Sequence, residues 1–218
     1  MRTAVVAGAT GLVGGRCLEL LLQDSEYDSV LALVRHPLAL RHPKLQQHVT
    51  DFERLDELEL PGNADIFCAL GTTIRKAGSR PAFRKVDFEY PKKLAFRGAA
   101  FQARQFLLVS SVGADPAAGN FYLSVKGETE QAVSALPFQA VHIFRPSILA
   151  GARSESRPGE KIGIALARAI EFAMVGGLRK YRAMPVNVLA AAMIAAARHA
   201  QAGKHVYHYD GIVALASE

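Results

Sequence analysis

The chain has 218 residues, of which 50% are hydrophobic, 21% are charged and only two are cysteines. That length favours one domain with a substantial core, and the composition excludes intrinsic disorder, a collagen-like repeat and a small disulfide-stapled scaffold. A net charge of +6 suits an anionic ligand, but the basic residues are scattered from Arg2 to Arg198, without the runs or motifs of a nucleic-acid reader.

Apolar, β-branched runs alternate with helical patterns. Thr3–Ala7 reads as a strand and Leu12–Gln23 as a helix, followed by strands at Val30–Val34, weakly near Gln47–Thr50, and at Ile66–Leu70. Pro81 suits the first turn of a long helix reaching about Arg104, with a disturbance expected at Pro91. Phe106–Ser110 is a fifth strand, Tyr122–Leu136 a helix and Ala140–Phe144 a sixth strand. This order predicts an α/β fold, a three-layer doubly wound parallel sheet covered by helices on both faces.

Beyond Phe144 the pattern loosens. A polar loop is expected over Arg153–Lys161, helices near Ile162–Val175 and Val188–Ala200, and a last strand at His205–Tyr209. The expectation is a single domain with a cofactor-binding core over 1–144 and a small substrate-side extension over 145–218. The small-residue run Ala191–Ala200 reads as close helix packing.

No stretch reaches the roughly 18 apolar residues of a membrane-spanning helix. Glycines at 8, 11, 14 and 15 interrupt the apolar start, so it does not read as a signal peptide. Cys17 and Cys68 have apolar neighbours and no metal-ligand spacing, and read as reduced thiols of a cytoplasmic protein. The seven histidines form no His-x-x-x-His pair, so no metal is expected.

The first strand runs into Gly8-Ala9-Thr10-Gly11-Leu12-Val13-Gly14 and then directly into a helix. Gly8 permits a tight turn, Gly11 lets backbone approach a pyrophosphate, and Gly14 lets the helix pack close to the sheet. The free N–H groups and the macrodipole of the helix N-terminus favour that anion. At the end of the second strand, where NAD-binding domains usually carry a carboxylate, the chain has Arg35. A guanidinium there pairs with the 2′-phosphate of NADP(H), unless it is simply a solvated surface arginine. Asp51 and Phe52 after the third strand stand where adenine would lie, or in a plain loop. Thr72 and Thr73 stand beside the ribose, or cap a helix.

Tyr122 and Lys126 fall on one helix face, and Ser110-Ser111 ends the fifth strand just upstream. In a doubly wound sheet these positions converge on the ligand crevice. The alternative is a surface tyrosine and a solvated lysine.

An early glycine loop with Ser and Tyr-x-x-x-Lys resembles the short-chain dehydrogenase/reductase superfamily. Further motifs are similar to its atypical branch typified by the Tat-interacting-protein oxidoreductase-like proteins. They are Ala69-Leu70-Gly71-Thr72-Thr73, Ser110 to Asp115, Asn120 to Glu128, Phe144-Arg145-Pro146-Ser147 and Glu155-Ser156-Arg157-Pro158-Gly159-Glu160. The resemblance implies an NADP-binding Rossmann fold, with Tyr122 as proton donor, Lys126 as ribose ligand and activator of Tyr122, and Ser111 as the hydroxyl that orients a carbonyl. Implied cofactor contacts are Gly8, Thr10, Gly11, Leu12, Val13, Gly14, Arg35, Asp51, Leu70, Gly71, Thr72, Lys126, Arg145 and Pro146. Asp87 departs from the pattern, because related enzymes often carry an asparagine there.

The expected activity is NADP(H)-dependent oxidoreduction of a small carbonyl or alcohol, with NADP(H) preferred over NAD(H). The substrate would be framed by Val112–Asn120 and Leu149–Lys161. The rival reading is an NADP(H)-binding regulatory or interaction module with little catalysis. No nucleic-acid or membrane partner is expected, and the chain would be a monomer or a homodimer, with a protein partner in the regulatory case.

Overall fold

The computed structural model describes residues 2–150, 176–199 and 201–218. Its main strands are β1 (Thr3–Ala7), β2 (Ser29–Val34), β3 (Leu45–Val49), β4 (Asp65–Cys68), β5 (Gln105–Val109), β6 (Ala140–Phe144) and β7 (Gly203–Tyr207). They form one seven-stranded parallel sheet in the order β3-β2-β1-β4-β5-β6-β7. The chain winds outward from β1 to β3 and then returns to β4 on the other side of β1. The reversal opens a crevice above the carboxyl ends of β1 and β4.

β1 shows why these runs are apolar throughout. Ala4 and Val6 enter one core cluster and Val5 and Ala7 the other, so both faces of the strand are covered. The helices are α1 (Leu12–Gln23), the rod α2 (80–100), α3 (Phe121–Ser134), α4 (Val186–His199) and α5 (Tyr209–Leu215). Buried Val13, Cys17, Leu18, Leu21 and Leu22 give α1 an apolar stripe of helical period. α4 lays Leu189, Ala190, Met193, Ala196 and Ala197 against it, and its alanines let the two helices close until Cys17 Sγ stands 3.9 Å from Met193 Sδ. Strand β7 and helix α4 are thus built into the sheet and its covering layer. The loop and helix expected over 153–175 lie outside the described residues.

The rod α2 joins α-helical Arg80–Arg84, a π-helical turn Lys85–Glu89 and α-helical Tyr90–Ala100. Pro91 explains the turn. It has no N–H for the carbonyl of Asp87, four residues earlier. The Tyr90 amide bonds Lys85 O, five residues back, and the Asp87 carbonyl accepts Thr129 Oγ1 of α3 at 2.8 Å. The rod ends at Ala100, four residues short of the predicted Arg104, where Gln102 turns into a left-handed conformation at φ 55°.

The amino ends of the strands are held by a buried polar chain. Asp65, fully buried, accepts Arg2 Nε at 2.9 Å, Tyr27 Oη at 2.7 Å, Gln105 Nε2 at 2.8 Å and both arms of the Arg104 fork at 2.9 and 2.7 Å. Gln105 also donates from Nε2 to Ala197 O, so its Oε1 is left to accept from His142 Nε2 at 3.2 Å. His142 Nδ1 then accepts from Tyr207 Oη at 3.0 Å. One neutral tautomer satisfies every partner. Burial, and then the neighbouring His205, depress His142 from 6.5 to about 4.

Because the folded protein favours neutral His142, this contribution is complete above about pH 6.5 and is withdrawn as pH falls toward 4. Over that interval wild type should lose about 3 kcal/mol more stability than His142→Gln in denaturant melts, since the variant lacks the group. Equal pH slopes for the two proteins would contradict this.

Candidate functional site

β1 hands over to α1 through the glycine turn. Gly8 has φ +91°, and a Cβ there would stand 2.5 Å from Ala69 O. A Cβ on Gly14 would stand 2.2 Å from Gly8 O. The Gly11 amide closes the turn onto Gly8 O at 2.8 Å, and Gly15 donates to Gly11 O at 2.9 Å. The amides of Leu12, Val13 and Gly14 therefore have no acceptor within α1, and no acidic residue occupies its first turn. Such donors at a helix N-terminus are of the kind that favour an anion.

Above it lies a cleft of about 300 Å³, at the lower end of the small-molecule range. It is lined by Gly8 to Gly11, Leu33 to Arg35, Phe52, Ala69 to Thr72, Lys76, Val86 and Tyr90. Two cations, Arg35 and Lys76, and no carboxylate stand in that lining. Arg35 projects, exposed, just past β2. Phe52 and Tyr90 hold their ring centroids 5.8 Å apart at 43°, an apolar wall beside Arg35. Partial burial raises the Tyr90 phenol, against the opposing pull of the nearby Lys85 and Arg35.

The structure thus brings together Gly8, Thr10, Gly11, Arg35, Leu70, Gly71 and Thr72. Leu12, Val13 and Gly14 stand beside the cleft and offer backbone only; the Val13 side chain is in the core. Asp51 lies outside the cleft lining. Its carboxylate accepts the Glu53 amide at 3.0 Å and caps the 3-10 turn Phe52–Glu57, which leaves Phe52 to face the cleft. Val86, Tyr90 and Lys76 carry no motif. The first two reach the cleft because of the π turn before Pro91, and Lys76 because Thr73 caps the helical turn Ile74–Ala77, which ends at Gly78 with φ 81°.

The second half of the site follows β5. Ser110 is buried and gives its hydroxyl to Glu130 at 2.5 Å, whereas Ser111 is half-buried, with Val112 O at 3.4 Å from its Oγ. Arg145 does not reach the cleft. Its guanidinium forks onto Glu130 at 2.9 and 2.5 Å, and the bond to Glu130 holds its charge. Pro146 is buried and accepts the Val112 amide at 2.9 Å, tying the loop after β6 to the loop after β5. A Cβ on Gly127 would stand 2.2 Å from the Asp115 backbone, so this loop rests directly on α3.

Tyr122, half-buried on the first turn of α3, packs its ring 5.6 Å from that of Phe83. One turn on, Lys126 is buried with Nζ 2.8 Å from Asp87 Oδ1. Asp87 Oδ2 accepts the Thr72 amide at 2.8 Å. A Cβ on Gly71 would stand 3.7 Å from Lys126 Nζ, so the ammonium lies just beneath the cleft lining. Burial pulls this lysine down, but Asp87 and then Tyr122 outweigh it and keep it raised. Cys68, at the end of β4, is pushed up to about 12 by burial and is a neutral thiol. Residues 151–161, expected to frame a substrate, lie outside the described residues. Among the described residues no cluster could hold a metal ion and no helix is long and apolar enough to cross a membrane.

No family model matches the chain. Protein HTATIP2 of Rattus norvegicus is 38% identical over 164 residues, which cover 73% of this chain and 67% of that protein. Protein FMP52-1, mitochondrial, of Scheffersomyces stipitis is 32% identical over 159 residues, covering 71% and 70%. Several further fungal FMP52 proteins are likewise named mitochondrial, which corrects the cytoplasmic expectation. Buried reduced thiols suit any reducing compartment, so they carried no address.

Among solved structures, MoeE5 in complex with UDP-glucose and NAD superposes with a TM-score of 0.66 at 17% identity, over 99% of this chain and 81% of that one. The human epimerase family protein SDR39U1 with NADPH gives 0.62 at 17% identity, over 94% and 72%. The shared architecture is the NAD(P)-binding Rossmann fold. The chain belongs to the atypical short-chain dehydrogenase/reductase family that includes HTATIP2 and the FMP52 proteins.

Proposed function

We propose that the chain is an NADP(H)-dependent oxidoreductase acting on a small carbonyl or alcohol. The observation that carries this is the cleft over the glycine turn, in which Arg35 and Lys76 stand without any carboxylate while Lys126 lies beneath its Gly71 wall. A dinucleotide fits the residues present. The turn admits only glycine at Gly8 and Gly14, and the α1 amides offer donors for a pyrophosphate. The Phe52–Tyr90 wall suits a flat base, and Arg35 suits a 2′-phosphate. The MoeE5 and SDR39U1 structures hold such cofactors in the same fold, one NAD and the other NADPH.

When bound, the nicotinamide supplies or receives the hydride. The protein's part is orientation and proton management. Ser111 Oγ, less engaged than that of Ser110, donates to the substrate oxygen as negative charge develops there. Tyr122 Oη gives that oxygen its proton in reduction and takes it back in oxidation. Lys126, one turn on from Tyr122 and just beneath Gly71, would hold the ribose and activate the phenol.

The second reading, a cofactor-binding regulatory module, is favoured by one observation: Asp87 compensates the Lys126 charge, which weakens its effect on Tyr122.

Arg35→Ala should weaken NADPH binding roughly ten- to hundredfold and leave NADH nearly unchanged, the worth of one charge-assisted contact. The difference should shrink as salt rises. Titration of both cofactors into both proteins decides it, and an equal loss for the two would remove Arg35 from phosphate recognition.

Tyr122→Phe should abolish most turnover on a carbonyl panel while keeping cofactor affinity, because only the hydroxyl is lost. A variant that turns over like wild type would end the oxidoreductase mechanism as written. Cofactor binding without turnover by wild type would favour the regulatory reading.

A further inference from the structure

The mechanism above uses Ser111 but leaves unexplained what holds it in place. Its neighbour Ser110 is buried, and a hydroxyl carries a single proton, which Ser110 gives to Glu130 Oε1 at 2.5 Å. Glu130 is 3% exposed and stands on α3, two turns beyond Tyr122. The same carboxylate takes both arms of the Arg145 fork, Nε on Oε1 at 2.9 Å and Nη2 on Oε2 at 2.5 Å. One side chain of α3 therefore grips the residue that follows β5 and the residue that follows β6. The two loops are also tied to each other. The Ser110 amide donates to Phe144 O at 2.7 Å, and the Val112 amide to Pro146 O at 2.9 Å. Ser111 lies between those two amides, and among the described residues its own Oγ reaches only Val112 O, at 3.4 Å.

We propose that Glu130 is a positioning residue: it bolts the Ser110–Val112 turn to α3 and so sets the place of the Ser111 hydroxyl relative to Tyr122. Hydrogen bonds to a carboxylate are short and strong, and the planar Arg145 fork fixes direction as well as distance. The Glu130 side chain is buried and that of Arg145 mostly so, which leaves little room for solvent to screen the pair. Work is then divided within Ser110-Ser111. Ser110 spends its proton on the bolt, and Ser111 keeps its own for a substrate oxygen. A donor displaced by about 1 Å can slow a reaction roughly hundredfold, so the bolt matters although Glu130 lies outside the cleft lining. This inference rests on the proposed roles of Ser111 and Tyr122, but one arm of its test needs no turnover.

The first arm compares amide hydrogen exchange in wild type and Glu130→Gln, which keeps the shape and removes the charge. Protection of the Val112 amide should fall about ten- to hundredfold, the worth of one charge-assisted bond, while that of Gly11 across the site stays unchanged. The second arm is a double-mutant cycle on the carbonyl panel. Glu130→Gln should lower kcat about ten- to hundredfold with NADPH affinity kept. It should cost nothing further in Ser111→Ala, because the hydroxyl it positions is then gone. Unchanged Val112 protection would overturn the inference, since the close backbone contact at Gly127 would then suffice to seat the turn. Equal losses at Val112 and Gly11 would overturn it as a general loss of stability, and so would losses in kcat that multiply in the double variant. Should Glu130→Gln not fold, Ser110→Ala removes one strut of the bolt and is read against the same outcomes. A chain that turns over no member of the panel loses the oxidoreductase reading, whereas exchange still decides whether Glu130 holds the turn.

Discussion

A Cβ on Gly14 would stand 2.2 Å from the carbonyl oxygen of Gly8, and one on Gly8 would stand 2.5 Å from that of Ala69. Helix α1 and the loop after β4 can close on the end of β1 only because all that meets there is backbone. Two further features follow. With α1 seated so low, its buried stripe meets β1 on one side and the alanine-rich face of α4 on the other, which completes one of the two cores. Its open N–H groups also stand at the mouth of the crevice made by the strand-order reversal. One close approach therefore supports both the packing and the placement of those donors.

A second constraint shapes the other side of the crevice. Pro91 removes one hydrogen bond from α2, and the rod answers with a π turn. The turn presents Val86 and Tyr90 to the cleft while Asp87 is buried between the cleft wall and α3. The Asp87 carbonyl accepts Thr129 Oγ1, which ties the irregular turn to α3. Wall, carboxylate and lysine become one connected unit. A change at any of Thr72, Asp87 or Lys126 would be felt by the other two.

Much of this was legible in the residues. Strands buried on both faces read as unbroken apolar runs, and the glycine turn stood out because spacing and position agreed. β3 was faint because it is an edge strand whose Gln46, His48 and Val49 are exposed. The rest was hidden because it depends on long-range contacts. Nothing in the sequence marks Asp65, whose partners Arg2, Arg104 and Gln105 are brought to it only by the fold. Arg145 follows β6 where cofactor contacts gather, yet Glu130 on α3 takes its charge. Phe52 and Tyr90 lie far apart in the chain and meet only across the crevice. Asp51 and Phe52 read equally as adenine contacts or a plain loop; in the fold Asp51 caps the 3-10 turn outside the cleft lining while Phe52 lines the cleft.

The glycine turn and its cleft are proposed to hold a dinucleotide phosphate. Isothermal titration of NADPH into wild type and Gly11→Val tests it most directly, with circular dichroism to establish that the variant is folded. A branched side chain at the α1 cap would occupy the pyrophosphate path. Binding in wild type and none in the folded variant is the expected result. Equal affinity in the two proteins would place the cofactor elsewhere and contradict the claim.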